Sequence, residues 1–224
     1  MTMPDGAPFV APVPWFPLPA RLVVLLSGRG SNLEALAGAC DAGTLPARIV
    51  LVLSDRSDAA GLAKARARGI EAAAEERGGE TRAAHEARLA AQIEAAGADV
   101  VCLAGFMRVL SPAFVARFER RIVNVHPSLL PAFPGLEAQR QAFEHGVKVA
   151  GATVHLVDAG TDTGPIAGQE AVPVRTGDDA ERLAARILAA EHRLYPATLA
   201  ALLAGGWTVE GRQLLFPAAG PAEE

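Results

Sequence analysis

The chain has 224 residues, half of them apolar and about a fifth charged, the composition of a soluble globular protein with room for one large core or two small ones. Its net charge of −4 provides no broad basic field, which argues against duplex nucleic acid as the main partner but leaves a local loop free to bind a small anion. No apolar run nears the roughly 20 residues of a membrane span, and the two cysteines, Cys40 and Cys102, share no metal-type spacing and read as buried thiols in a reducing, cytoplasmic setting.

Residues 1–20 hold Pro4, Pro8, Pro12, Pro14, Pro17 and Pro19 and no basic leader, so they read as a flexible or extended arm rather than a signal peptide. Trp15 and Phe16 in that arm can dock on the body or on a partner. The run at 21–27 predicts a buried strand, and the apolar spacing of Leu33, Leu36 and Ala37 predicts a helix over 30–42. A strand at 49–53, a short helix at 59–68, a short strand at 70–74 and a helix at 80–96 follow, then a buried strand at 99–104, a short helix at 112–117 and a strand at 121–126. After a proline-rich loop at 127–135 and a helix near 136–145, two strands at 150–157 and 165–174 flank a turn-rich loop. A long helix at 178–203 and a weak hairpin at 208–216 end the pattern. Alternating strands and helices predict an α/β, Rossmann-like domain over 21–216: a mostly parallel twisted sheet, helices on both faces and an added antiparallel C-terminal portion. A short acidic tail, 217–224, follows it.

Two places carry chemistry. The turn Ser27-Gly28-Arg29-Gly30-Ser31-Asn32 lies between a strand and a helix, where free backbone N–H groups and the positive end of the helix dipole suit a phosphate. It lacks the third glycine of a dinucleotide fingerprint and any Gly-Lys-Ser/Thr, which argues against a nucleoside triphosphatase; a tight turn with a helix cap is the plain alternative. Asn124 and His126, two apart on a strand, project from one face of the sheet near its ligand-binding end, an amide and an imidazole able to serve an oxyanion and a proton. The partner carboxylate for His126 is Asp162 or Asp158, both in the turn-rich loop. All three residues can equally be polar strand-end and turn residues.

At these residues the chain resembles the phosphoribosylglycinamide formyltransferase family, the small single-domain bacterial type. The resemblance rests on LLSGRGSNLEAL at 25–36, LAGFMRVLSPAFV at 103–115, NVHPSLLPAFPG at 124–135, HGVKVAGATVHLVD at 145–158, DTGP at 162–165 and RILAAEHRLYP at 186–196. The middle blocks are shared with other formyl-folate enzymes, while the glycine-rich opening and the last block are specific to the glycinamide enzyme. The resemblance implies the formyltransferase fold and direct transfer of a formyl group from 10-formyltetrahydrofolate, as co-substrate, to the amine of 5-phosphoribosyl-glycinamide, with no metal. It implies that Asn124, His126 and Asp162 are catalytic, with Asp162 raising the pKa of His126. Gly30, Ser31 and Asn32 would take the phosphate and Glu191 the glycinamide end. Arg82, Met107, Arg108, Val109, Leu110, Asn124 and Asp158 would line the folate site.

Each assignment has a structural alternative: Met107, Val109 and Leu110 as core, Arg82 as a solvated helix charge, Glu191 as a partner of Arg193 or Arg186, His155 as a structural strand residue. Glu137 and Gln139 stand where many family members carry histidines, and Arg29 where they carry smaller polar residues. Three rivals use overlapping features. A 10-formyltetrahydrofolate hydrolase (deformylase) would use the same trio with water, but carries an additional N-terminal domain for which about 20 residues leave no space. A methionyl-tRNA formyltransferase needs a C-terminal RNA-binding domain. A non-catalytic binding module would have no reason to keep the trio. The expected partners are these small molecules, with no nucleic acid and no membrane, in a monomer or homodimer.

Overall fold

The computed structural model describes residues 8–218. The strands are β1 (Phe9–Val10), β2 (Ala20–Leu26), β3 (Ala47–Ser54), β4 (Ala72–Ala74), β5 (Val100–Leu103), β6 (Ile122–His126), β7 (Val149–Leu156), β8 (Ile166–Pro173), β9 (Thr208–Glu210) and β10 (Gln213–Leu215). The helices are α1 (Ser31–Asp41), α2 (Ala60–Ala67), α3 (Arg82–Ala95), α4 (Pro112–Arg117), α5 (Ala138–Glu144) and α6 (Ala180–Ala204). All strands join one sheet in the order β1-β9-β10-β8-β7-β6-β5-β2-β3-β4. From β6 to β4 neighbours run parallel, whereas β7 is antiparallel to both β6 and β8. This is the mixed α/β architecture expected from the sequence.

The central strands read as unbroken apolar runs because both faces of the sheet are covered. Alternate residues of β2 divide between two cores. Leu22, Val24 and Leu26 pack with α1 and α6, and Val23 and Leu25 with α3 and α4. Helix starts follow local chemistry: the side chains of Thr81, Ser111 and Asp179 cap α3, α4 and α6, whereas Gly30 gives α1 no side-chain cap. α6 stays unbroken through Pro196, because its buried stripe, Leu183, Ile187, Tyr195, Leu199 and Leu202, outweighs the local propensity cost of about 3 kcal/mol. Its Tyr195 hydroxyl donates to Val123 O at 2.8 Å, bolting the helix to β6.

The proline-rich stretch lies against the body from residue 9 onward; Met1 to Ala7 lie outside the described residues. β1 pairs with β9, Trp15 N–H donates to Leu203 O at 3.0 Å, and the Trp15 ring meets Trp207 edge-on at 5.0 Å. Trp15 thus docks on the body. This contact closes the C-terminal end of α6, where unpaired carbonyls would otherwise remain. β1 itself was not foreseen.

Chain order sets the site. After β2 the chain moves to β3 on one side, then returns to β5 on the other, so the β2 and β5 exits diverge above their shared C-terminal rim. Such a switch point is where open α/β sheets bind ligands.

Candidate active site

The β2 exit, residues 27–30, is fixed by backbone contacts. Gly61 N–H donates to Gly28 O at 3.0 Å. Gly30 sits at φ +70, and a Cβ there would stand 2.6 Å from Gly61 Cα. Only glycine meets both demands. The side chain of Ser27 ties the second exit to the first, accepting from Met107 N–H at 2.8 Å.

Two cavities flank the β5–α4 loop. One, of about 620 Å³, is lined by Gly28 to Asn32, Met107, Val125, Pro127, Gln139, Glu181 and Glu191, between α1 and α6. The other, of about 270 Å³, is lined by Arg77, Arg82, His85, Phe106, Arg108, Val109 and Leu110, against α3. Alternation along the extended loop sends Met107 to the first cavity and Phe106 and Arg108 to the second. Met107 and Val109, 61% and 62% exposed, form lips of these cavities rather than core, while Leu110 is buried. Arg82 donates to Val109 O at 2.7 Å and pairs with Glu86 at 2.9 Å, so it is a held charge and not a solvated one. Arg108 is paired with the buried Asp55 at 2.6 Å.

In the first cavity Glu191 and Asn32 meet: Asn32 Nδ2 donates to Glu191 Oε2 at 2.7 Å. Both are buried. Burial pushes the Glu191 carboxyl above its usual range, against the Asn32 bond and the nearby Arg29. Asn32 Oδ1 has no hydrogen-bond partner.

At the end of β6, Asn124 and His126 share the sheet face of Ile122, with Asn124 directly opposite His155 of β7 and His126 opposite Thr153. Asn124 Nδ2 donates to His155 Nε2 at 3.1 Å, while His155 Nδ1 donates to Leu156 O at 2.9 Å. That pattern assigns His155 the neutral Nδ1–H tautomer and fixes which way the Asn124 amide faces. His126 Nε2 donates to Phe133 O at 2.9 Å, and its Nδ1 faces Asp162 Oδ2 at 3.4 Å. Asp162 also lies 3.7 Å from His155 Nε2 and accepts from Gly135 N–H at 2.7 Å, joining the two loops over the rim. Its φ of 54 is left-handed, a conformation that aspartate tolerates better than most residues. Asp158 instead accepts from Gly160 N–H at 3.1 Å and Thr163 Oγ1 at 2.7 Å, stapling its own loop. Of the two candidate carboxylates, Asp162 is the one beside His126.

The electrostatics differ from expectation. Burial lowers the pKa of His126 below 6.5, outweighing the Phe133 carbonyl and Asp162, which both raise it. Asp162 itself is lowered: its burial acts upward, but nearby His155, the Gly135 N–H and His126 together prevail. His126 is therefore mostly neutral at neutral pH in this state, with Asp162 ionised beside it.

Glu137 is exposed at the start of α5 and turns toward Arg140 at 3.8 Å, while Gln139 lines the first cavity. Thr153, which carries no signal in the sequence, accepts from Leu130 N–H at 3.0 Å and donates to Ser128 O at 2.6 Å, pinning the proline-rich loop that holds Phe133 against His126. Among the described residues no group of three His, Cys, Asp or Glu is placed to hold a metal ion, and no helix is long and apolar enough to cross a membrane.

The Formyl transferase family matches residues 20–199. The phosphoribosylglycinamide formyltransferase of Mycobacterium tuberculosis is 50% identical over 87% of this chain and 90% of its own length. The chain belongs to the phosphoribosylglycinamide formyltransferase family. Its fold is shared with the glycinamide ribonucleotide transformylase 1 of Symbiobacterium toebii, at 51% identity and a TM-score of 0.86 over 88% of this chain and 93% of that one. A formyltetrahydrofolate deformylase from Pseudomonas syringae has the same fold with a TM-score of 0.82, but at 26% identity and with 65% of its length covered. Phosphoribosylglycinamide formyltransferases thus resemble the chain over most of its length, and the deformylase resembles it more remotely.

Proposed function

We infer that the protein transfers the formyl group of 10-formyltetrahydrofolate to the amine of 5-phosphoribosyl-glycinamide, giving the formylglycinamide ribonucleotide and tetrahydrofolate in de novo purine synthesis. The observation that carries this reading is the pair of cavities flanking the one loop that follows β5. A hydrolase needs room for one organic substrate and a water, whereas this rim serves two ligands from opposite faces of the sheet.

The ribonucleotide takes the cavity between α1 and α6. Its phosphate lies at Gly30, Ser31 and Asn32, where the uncapped start of α1 presents free N–H groups. Its glycinamide end meets Glu191 and the unpartnered Asn32 Oδ1, two acceptors that an amine can satisfy together. The folate takes the cavity against α3, with Arg82 and Arg108 toward its carboxylates, the buried Leu110 and the exposed lip of Val109 against its rings, and Met107 on the divide between the two cavities. Asp158 acts there by shaping the loop over the rim.

The amine nitrogen attacks the formyl carbon, and the carbonyl π electrons move onto oxygen. Asn124 and His126 donate to that oxyanion, His126 exchanging its Nε2 bond from Phe133 O to the new oxygen. Burial keeps the resting imidazole neutral, while a negative oxyanion beside it, with Asp162 behind, favours the imidazolium. The proton lost from the amine is relayed through water held by Asp162 and His126 to N10 of the folate. The C–N10 bond then breaks and tetrahydrofolate leaves. Both thiols, Cys40 and Cys102, are free, in keeping with work in the cytoplasm.

The test offers the purified protein 10-formyltetrahydrofolate with phosphoribosyl-glycinamide, and separately with water alone. Folate deformylation that depends on the amine is expected. Equal turnover without it would make the protein a hydrolase.

A further inference from the structure

We propose that Arg29 is the cation that clamps the substrate phosphate, and so a residue that selects ribonucleotides over their dephosphorylated forms. This rests on the formyl-transfer reading above and goes beyond it by naming the charge that the phosphate cavity requires.

The argument is one of charge balance. The ionisable residues lining the α1–α6 cavity are Arg29, Glu181 and Glu191, one cation against two carboxylates. A phosphate monoester brings a further charge of about −1.5 to −2 at neutral pH. The start of α1 contributes about half a positive charge and its free N–H groups, too little to offset this alone. Arg29 is exposed and forms no hydrogen bond or ion pair among the described residues, unlike Arg68, Arg82, Arg88 and Arg108, which are all engaged. It lies close enough to Glu191 to lower that residue's pKa without bonding to it. The glycines on either side, with Gly28 O held by Gly61 and Gly30 locked left-handed, fix where its backbone sits. Asn32, whose buried Oδ1 has no hydrogen-bond partner, lines the same cavity. A planar guanidinium with several donors suits a phosphate oxygen pair.

The test compares the full chain with Arg29→Ala and Arg29→Lys. Steady-state transfer is measured with phosphoribosyl-glycinamide and with the glycinamide riboside that lacks the phosphate, and ribose 5-phosphate binding is measured by calorimetry. Loss of a charged hydrogen-bond partner predicts that Arg29→Ala raises KM for the ribonucleotide about 10- to 100-fold, with kcat changed less than about threefold. Ribose 5-phosphate should weaken by a similar factor, the riboside's kcat/KM should stay within about threefold, and Arg29→Lys should recover part of the loss. An unchanged KM, or an equal loss with the riboside, would overturn the clamp. The calorimetric arm stands apart from turnover: a wild-type protein that bound ribose 5-phosphate through Arg29 yet transferred no formyl group would refute the enzyme reading and uphold the clamp.

Discussion

Glu191 shows how a single residue can work against the stability of the fold. Its carboxyl pKa is raised by burial, so the native state holds a proton at pH values where the unfolded chain has lost it. Stability from this group therefore falls as pH rises through 4.5 and stays lower above the native pKa. Glu191→Gln removes that titration, and its amide can donate to the orphaned Asn32 Oδ1 while accepting from Asn32 Nδ2. The variant should gain about 1 kcal/mol near neutral pH, some 2–4 °C in Tm, while KM for phosphoribosyl-glycinamide rises. A variant no more stable than wild type at pH 7 would contradict this. His126 has the opposite sign of shift. Its native pKa lies below 6.5, so the unfolded chain binds the proton first as pH falls, and stability declines below about pH 6.5. His126→Asn should lose less Tm than wild type between about pH 7 and pH 5 in thermal scans. In catalysis, His126→Ala and Asp162→Asn should fold yet lose about 100- to 1000-fold in transfer rate at saturating substrates. Near-normal turnover in either would remove that residue from the mechanism.

The period-two spacing of Asn124 and His126 was enough to put both on one face. The choice between Asp162 and Asp158 was not open to such reading, because it depends on how a loop folds back across the rim. His155 could be named from the sequence, but its contact with Asn124 could not: only the antiparallel register of β7 places it opposite Asn124.

Elements were more legible than contacts. Apolar periodicity and capping residues located every helix and all strands but β1, with ends displaced by at most two residues. β1 is two residues long among prolines, and too short to carry a period. The proline within α6 would ordinarily predict a break, but the buried stripe continues across it and holds the helix whole. The β2–α1 junction carries a prediction of its own. Gly30→Ala meets both a left-handed φ and the backbone of α2, whereas Gly43→Ala, at φ +72 with nothing within 4 Å, meets only the first. Gly43→Ala should cost about 1 kcal/mol and Gly30→Ala at least about 2, measured by urea unfolding. Equal costs would mean that the α2 contact gives way easily.

Across the whole molecule, the aromatic cluster of Phe9, Trp15, Phe16 and Trp207 lies at the rim opposite the cavities, where Arg120 stacks on Phe9 at 4.4 Å. Trp15→Ala should cost about 3 kcal/mol in unfolding free energy, with KM for both substrates unchanged. A shift in either KM would reveal coupling between the two rims. Sheet order also lies at this scale. Alternation of strands and helices predicts a parallel sheet, but the switch point becomes visible only when β5 is seen beside β2.

The segment from Gly105 to Leu110 is a party wall. On the proposed reading, a ribonucleotide in one room would lean on Gly105 and Met107 and a folate in the other on Phe106, Arg108, Val109 and Leu110, in one segment that Ser27 anchors on one side and Asp55, through Arg108, on the other. Neither room can be remodelled alone: a change cut to fit one ligand would shift the wall that the other shares.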